Sequence, residues 1–257
     1  MKILTLNINS IRAHIESFLD ILHRGEYDTI LVQELKVETA NFPHNIFDEF
    51  GYNIKVFGQK SWNGVATFSK NSIEDVTLGL PTYPDVNARF LECVVDGHVR
   101  IINVYMPNGE SEDSPKFPYK IDWMNAFTKY IAQFIDSEEP VIIGGDFNVA
   151  IADQDIWNPK NYVGSSISAP MARAIMQQWL NMGWTDAWRT QHPNDIDYTW
   201  YGYRGRDTIG NNQGLRLDYF LCNKTAIKMV KNCEIDREPR LHTKPTDHCG
   251  LMLEIND

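Results

Sequence analysis

Val141-Ile142-Ile143-Gly144-Gly145-Asp146-Phe147-Asn148 is an apolar run of strand type that ends in two glycines, then presents a carboxylate and a carboxamide two residues apart. If extended geometry persists, side chains at i and i+2 share one face of the strand. The glycine pair lets another backbone or a ligand approach closely. An Asp beside an Asn suits a hard divalent cation, or the orientation of a water in a phosphate site. Gly-Asp-x-Asn is equally a good turn. The choice between these readings rests on the two ends of the chain.

Lys2-Ile3-Leu4-Thr5-Leu6-Asn7-Ile8-Asn9-Ser10 is a strand that ends in two asparagines, and Thr29-Ile30-Leu31-Val32-Gln33-Glu34 ends in a carboxylate. Thr246-Asp247-His248-Cys249 precedes a last apolar strand. Polar groups at strand ends are how a sheet assembles one site from distant segments. Each residue alone fits a capped loop. Asn7, Glu34, Asp146, Asn148, Asp247 and His248 together point to a site.

Further segments carry a resemblance. They are Leu6-Asn7-Ile8-Asn9-Ser10-Ile11-Arg12, Val32-Gln33-Glu34-Leu35-Lys36, Asn63-Gly64-Val65-Ala66 and Asn103-Val104-Tyr105-Met106-Pro107-Asn108-Gly109. Gly145-Asp146-Phe147-Asn148, Gly214-Leu215-Arg216-Leu217-Asp218-Tyr219 and Thr246-Asp247-His248-Cys249 complete the series. In this order, and spanning nearly the whole chain, they resemble the exonuclease III and apurinic/apyrimidinic endonuclease family within the endonuclease/exonuclease/phosphatase superfamily. The resemblance implies an α/β fold of four layers, two packed mixed β-sheets flanked by helices, formed by residues 1–257 as one domain. It is specific to the family and less so to one activity within it.

Composition agrees. A chain of 257 residues, 43% hydrophobic and 23% charged, is long enough for a sizeable core. No apolar run is long enough to span a bilayer, and Met1-Lys2-Ile3-Leu4 enters a strand without a signal-peptide layout. Cys93, Cys222, Cys233 and Cys249 form no Cys-x-x-Cys pair, so reduced thiols in a cytoplasmic protein are expected. The net charge of −10 argues mildly against a polyanion partner, but affinity follows local phosphate contacts. Candidate contact charges are Arg12, Lys36, Lys60, Lys116, Lys120, Arg204, Arg206, Arg216 and Lys244, with Arg204-Gly205-Arg206 the best small patch.

Strand-like runs recur at residues 2–6, 29–33, 64–68, 89–95, 100–105, 141–144, 216–222 and 251–255. Ile11, Ile15, Phe18, Leu19 and Leu22 fall at helical spacing before Gly25. Trp123, Phe127, Tyr130, Ile131 and Phe134 form a second helical stripe, and Pro170 opens a third helix near Ile175 and Trp179. Consecutive strands mixed with helices suit a mixed-sheet sandwich better than one doubly wound sheet.

Cleaving a phosphodiester requires an aimed water, offset phosphoryl charge and a stabilised leaving oxygen. Glu34 and Asp247 are the candidate carboxylate ligands of Mg²⁺, with Mn²⁺ as substitute, and Asn7 completes the set. Asp146 is the leading candidate to orient or deprotonate the water, Asn148 to position it, and His248 to donate to the phosphate. Whether Asp146 or His248 is the base stays open. By resemblance, Asp218 is the anionic partner of His248, and the Tyr105 hydroxyl touches the phosphate or leaving oxygen. The matching family loops carry a hydrophobic pocket for an unstacked sugar, here Trp200, Leu215 and Tyr203, with Arg204 and Arg216 as DNA contacts.

The resemblance implies a monomeric Mg²⁺-dependent DNA-repair phosphodiesterase. Its activities would be 3′→5′ exonuclease, removal of 3′-blocking phosphates and incision 5′ to abasic sites, with no membrane partner. The rivals are hydrolysis of small phosphoesters or phospholipids, and a non-catalytic DNA-binding relative; the retained acidic and histidine set argues against the second. The chain departs from relatives at Ala172, where some have Glu, at Gly250, where Pro is frequent, and at Leu215, where some have Trp.

Overall fold

The computed structural model of the protein describes residues 1–203 and 208–256. In chain order the strands are β1 (Lys2–Asn7), β2 (Thr29–Gln33), β3 (Asn53–Phe57), β4 (Val65–Ser69), β5 (Ile73–Leu78) and β6 (Phe90–Val95). They continue with β7 (Val99–Tyr105), β8 (Val141–Asp146), β9 (Thr185–Asp186), β10 (Asp218–Cys222), β11 (Val230–Asp236) and β12 (Gly250–Ile255). One six-stranded sheet has the order β11-β12-β1-β2-β4-β3, the other β5-β6-β7-β8-β10-β9. Each contains one parallel pair, β1 with β2 and β7 with β8.

Three longer helices cover the outer faces: α1 (Ile15–Arg24), α2 (Lys116–Ile131) and α3 (Pro170–Met182). Phe18, Ile21 and Leu22 of α1 pack on Leu4, Leu6, Val32 and Phe68. Trp123, Met124 and Phe127 of α2, with Met176 and Trp179 of α3, pack on Ile102, Val104 and Ile143. Between the sheets lie Ile3, Leu31, Leu91, Ile101, Ile142, Phe220 and Leu253. The result is the four-layer α/β sandwich. Truncating a fully buried aromatic such as Phe127 or Trp179 to Ala would cost about 3–5 kcal/mol.

Gly144 works at the interface between the sheets, and Gly145 at the close approach of β7 and β8. A Cβ on Gly144 would meet Phe220 at 2.6 Å and Leu31 of the opposite sheet at 2.7 Å. A Cβ on Gly145 would stand 1.9 Å from the Val104 carbonyl oxygen. Nearby, the buried Gln33 side chain donates to Thr5 Oγ1 at 3.0 Å and, across the layers, to Asn103 Oδ1 at 2.8 Å. Asn103 Nδ2 returns a bond of 2.8 Å to the Ala66 carbonyl. The two sheets are therefore keyed by polar as well as apolar contacts.

The helical stripes end where the sequence places them, with Gly25 capping α1 at φ 64° and Pro170 opening α3. α1 begins later than Ile11, because Ile8, Ser10 and Ile11 first donate to the Gln33, Glu34 and Leu35 carbonyls. β3, β5 and β11 are absent from the sequence reading because they lie at sheet edges and are mostly exposed or half-buried, so no apolar run marks them. The run starting at residue 216 becomes a strand only at Asp218, since Leu215 pairs instead with Trp200 and Ile156 in isolated bridges.

Candidate active site

Strand direction gathers the polar residues on one edge. Asn7, Tyr105 and Asp146 close the C-terminal ends of the parallel strands β1, β7 and β8, and Glu34 immediately follows β2. β10 and β12 run antiparallel to their neighbours, so their N-terminal ends reach the same edge. Asp218 opens β10, and Asp247 and His248 lie just before β12. The two sheets thus contribute to one cleft.

Asn7 is the link between them. Its buried carboxamide donates to Glu34 Oε1 at 3.0 Å in its own sheet and to Asp146 Oδ2 at 2.9 Å in the other. Glu34 Oε1 also accepts from the Tyr105 hydroxyl at 2.7 Å, and Glu34 Oε2 lies 2.9 Å from Lys36 Nζ. Burial opposes the Glu34 charge, but Lys36, Asn7 and Tyr105 more than offset that and hold its carboxyl below the usual range. Burial, with the charges of Glu34 and Asp146, raises the Tyr105 phenol well above its ordinary value, so it is a protonated donor.

Asp146 and Asn148 are both a turn and a site. β8 stops at Asp146, and Asn148 adopts φ 49°. Its backbone N–H donates to Asp146 Oδ1 at 2.9 Å, an Asx turn, while its Nδ2 reaches Asp146 Oδ2 at 3.1 Å and the Met106 carbonyl at 3.1 Å. Asn108 Nδ2 donates to Asn148 Oδ1 at 2.9 Å. The i and i+2 groups meet through a turn rather than on a continued strand.

Asp218 Oδ2 lies 2.8 Å from His248 Nδ1, and His248 Nε2 lies 3.8 Å from Asp146 Oδ2. Burial opposes the imidazolium, but Asp218 raises the His248 pKa to about 10, so the ring is charged at neutral pH. Burial raises the Asp146 pKa, with Asp218 adding to the effect while His248 opposes it. Asp218 Oδ1 is buried without a hydrogen-bond partner among the described residues.

Asp247 Oδ1 accepts from Asn9 Nδ2 at 3.0 Å and Asp247 Oδ2 from the Trp200 indole at 3.0 Å. Asn9 Oδ1 in turn accepts from Lys36 Nζ, closing a chain from Asp247 to Glu34. This donor set is made of oxygens. Among the described residues no three Asp, Glu, His or Cys side chains converge as a cage. Two carboxylates with amide oxygens are the sparse, hard set that a partly hydrated Mg²⁺ or Mn²⁺ takes, and the Lys36 ammonium against Glu34 marks where this edge accepts positive charge.

Several expectations for substrate contacts are corrected. Arg216 is buried, bonded to Asp155 Oδ1 at 2.8 Å and Asp186 Oδ2 at 2.7 Å, and stacked 4.4 Å from the Tyr219 ring centroid. It faces the interior, away from solvent. Leu215 is also buried, packed with Ala150, Ile156 and Leu217, so it supports the half-buried Trp200 from within and offers no open wall. Lys120 is buried too. Arg204 and Arg206 lie outside the described residues. Tyr203 is half exposed and donates to the Pro245 carbonyl at 3.0 Å.

A groove of about 600 Å³ opens beside Glu34, Tyr105 and Asn108, and Arg89, Tyr119 and Trp62 also line it. Arg89 donates to the Tyr105 carbonyl at 3.2 Å and stands 5.1 Å from the Tyr105 ring centroid. Trp62 is 69% exposed, unusual for so large an apolar side chain. Sequence reasoning missed both residues. A lone Arg before a strand gives no signal, and the motif around Asn63-Gly64 drew attention away from the neighbouring Trp62.

The chain is similar to known proteins in sequence and in fold. The profile of the Endonuclease/Exonuclease/phosphatase family matches residues 4–248. Exodeoxyribonuclease III of Haemophilus influenzae is 30% identical, the match covering 99% of this chain and 100% of that protein. An AP endonuclease structure from Archaeoglobus fulgidus superposes with a TM-score of 0.95 at 33% identity, covering 100% of both chains. A Neisseria 3′ phosphatase bound to product DNA hairpin gives 0.95 at 34% identity, again over 100% of both.

Proposed function

The chain belongs to the endonuclease/exonuclease/phosphatase family, and from that membership and the cleft we propose the roles by which it acts as a DNA-repair nuclease of the exonuclease III/AP endonuclease type. The observation that carries the reading is the convergence of Glu34, Tyr105, Asp146 and the Asp218–His248 pair on one edge, tied together by Asn7. Its substrates are DNA 3′ ends, 3′-phosphates and abasic sites. Four buried free thiols fit a reducing, cytoplasmic compartment.

Glu34 and Asp247, with Asn7, would hold Mg²⁺ or Mn²⁺. When bound, such an ion offsets charge on the phosphoryl and leaving oxygens. Asp146 orients the attacking water and takes its proton, a task that its raised pKa suits. Asn148 fixes the Asp146 carboxylate through its backbone N–H and its Nδ2. His248, charged and held by Asp218, donates from Nε2 to a non-bridging oxygen. The protonated Tyr105 hydroxyl is positioned to donate to the phosphate or leaving oxygen once it releases Glu34. Half-buried Trp200 supplies an apolar wall for an extruded abasic sugar, which lacks stacking and is cheaper to displace than a normal nucleotide.

The test is purified protein on three duplexes, abasic, 3′-phosphate and plain recessed 3′ end, each with Mg²⁺ and with EDTA. Cleavage of at least one duplex, abolished by EDTA and restored by Mg²⁺ or Mn²⁺, is expected. Full turnover in EDTA refutes the metal assignment. Turnover of small phosphoesters with none of the duplexes refutes the DNA reading.

A further inference from the structure

Lys120 is a lysine with no exposed surface, and its nearest partners are backbone carbonyls. Nζ donates to Asn148 O at 2.7 Å, Asn108 O at 3.1 Å and Ser166 O at 3.2 Å. An ammonium has three N–H donors, and here each has an acceptor. Burial pushes its pKa down to about 7, with the Asp146 charge opposing that shift from further away, and no carboxylate forms an ion pair with it among the described residues. Burying an ammonium is expensive unless its donors are met, so the three loops must be held where they are for this residue to stay in place.

Two of those loops, at Asn108 and Asn148, reach the cleft. Asn108 follows β7, Asn148 follows β8, and Ser166 precedes α3. They are laced to one another as well: Asn108 Nδ2 donates to Asn148 Oδ1 at 2.9 Å, and Ser166 N–H to Glu110 O at 3.2 Å. The lysine stem lies against Gly109, whose φ is 78° and where a Cβ would stand 2.8 Å from Lys120 Cδ. Asn148 itself sits at φ 49°, a conformation that costs an ordinary residue free energy and persists when surrounding contacts fix it. The 2.7 Å bond from Lys120 to the Asn148 carbonyl is such a contact.

We propose that Lys120 is a positioning residue of the active site, an internal three-way tie that sets the Asn148 backbone and, through it, the alignment of Asp146 and Asn148 toward the scissile phosphate. This rests on the assignment of Asn148 to the catalytic cleft. Lys120 reaches no substrate. It acts from beneath, as the branch point where helix α2 reads the register of the three loops. Arginine, longer and planar, would satisfy some of the carbonyls but not all three from one point.

Lys120→Met keeps the length of the stem and removes every donor; Lys120→Gln keeps part of the donor set and serves if the Met variant does not accumulate folded. Both are compared with wild type on the 3′-phosphate and abasic duplexes, alone and combined with Asn148→Ala. The expected result for Lys120→Met is a fall in kcat of roughly 10²-fold, the cost of a small misplacement in a preorganised site, with KM within about threefold of wild type. Lys120→Gln should recover part of the loss. In the Asn148→Ala background either substitution should cost less than in wild type, because the Asn148 carboxamide is already gone, while the Asn148 carbonyl and N–H still link Lys120 to Asp146. An equal loss in both backgrounds, or unchanged kcat in a folded variant, overturns the proposal. A wild-type enzyme inactive on every duplex would instead count against the proposed function.

Discussion

Trp200→Phe separates two contributions of one side chain. The indole N–H donates to Asp247 Oδ2 at 3.0 Å, while the half-buried ring packs over Ala150, Ile156, Leu215 and Leu217. Phe keeps the apolar face and loses the donor. A hydrogen bond to a charged group contributes about 1.5–3 kcal/mol, and about 1.4 kcal/mol is a factor of ten in an equilibrium constant. Asn9 remains as the other partner of Asp247, so the carboxylate keeps one of its two bonds. Mn²⁺ affinity, read by electron paramagnetic resonance or calorimetry without DNA, is expected to weaken by roughly 10–100-fold, the usual effect of removing the group that orients a ligand. The ratio of kcat/KM for abasic incision to that for 3′-phosphate removal should stay near the wild-type value. Trp200→Ala removes the ring as well, and that ratio should then fall by roughly tenfold or more, the scale of losing a pocket wall. A Phe variant that binds Mn²⁺ as tightly as wild type refutes the metal half of this reasoning. An Ala variant that loses equally on both substrates refutes the sugar-wall half.

Two other outcomes follow from the buried charges. Arg216→Met leaves Asp186 buried without its bond from Arg216 Nη1, so a loss of about 3–5 kcal/mol is expected, a fall in Tm of roughly 6–20 °C at about 2–4 °C per kcal/mol; an unchanged Tm with weakened DNA binding would mean that Arg216 is a substrate contact. Asp218→Ala and His248→Ala should each lower kcat by roughly 10²–10⁴, and because the two groups are bonded at 2.8 Å the double variant should be no worse than the more damaging single one. Full additivity would show that they act independently.

Glu34 and Asp146 were legible in the sequence because each closes an apolar run, and His248 because it precedes one, while Asp218 came from the family resemblance. The parallel and antiparallel senses of their strands bring these residues to one edge. Helix stripes and the Gly25 and Pro170 boundaries were legible because local chemistry sets them. Long-range satisfaction of charge was not. Arg216 and Lys120 read as surface cations, since a sequence does not say that Asp155, Asp186 or three carbonyls from remote loops wait for them. Edge strands such as β5 and β11 were missed for a related reason: their pairing is set by the neighbouring strand and not by a strong pattern of their own.

The contacts that close the cleft span almost the full chain: Asn7 meets Asp146, Thr246 Oγ1 donates to the Asn7 carbonyl, and Asn9 reaches Asp247. Their separations of 139, 239 and 238 residues make closure slow relative to local helix formation. During synthesis the ribosome delivers β1 and Glu34 first and His248 and β12 last. A growing chain therefore carries no working scissors. The blade is finished only when the final strand slots between β1 and β11, so a product that stops before Asp247 lacks both that residue and His248 and is expected to leave DNA uncut.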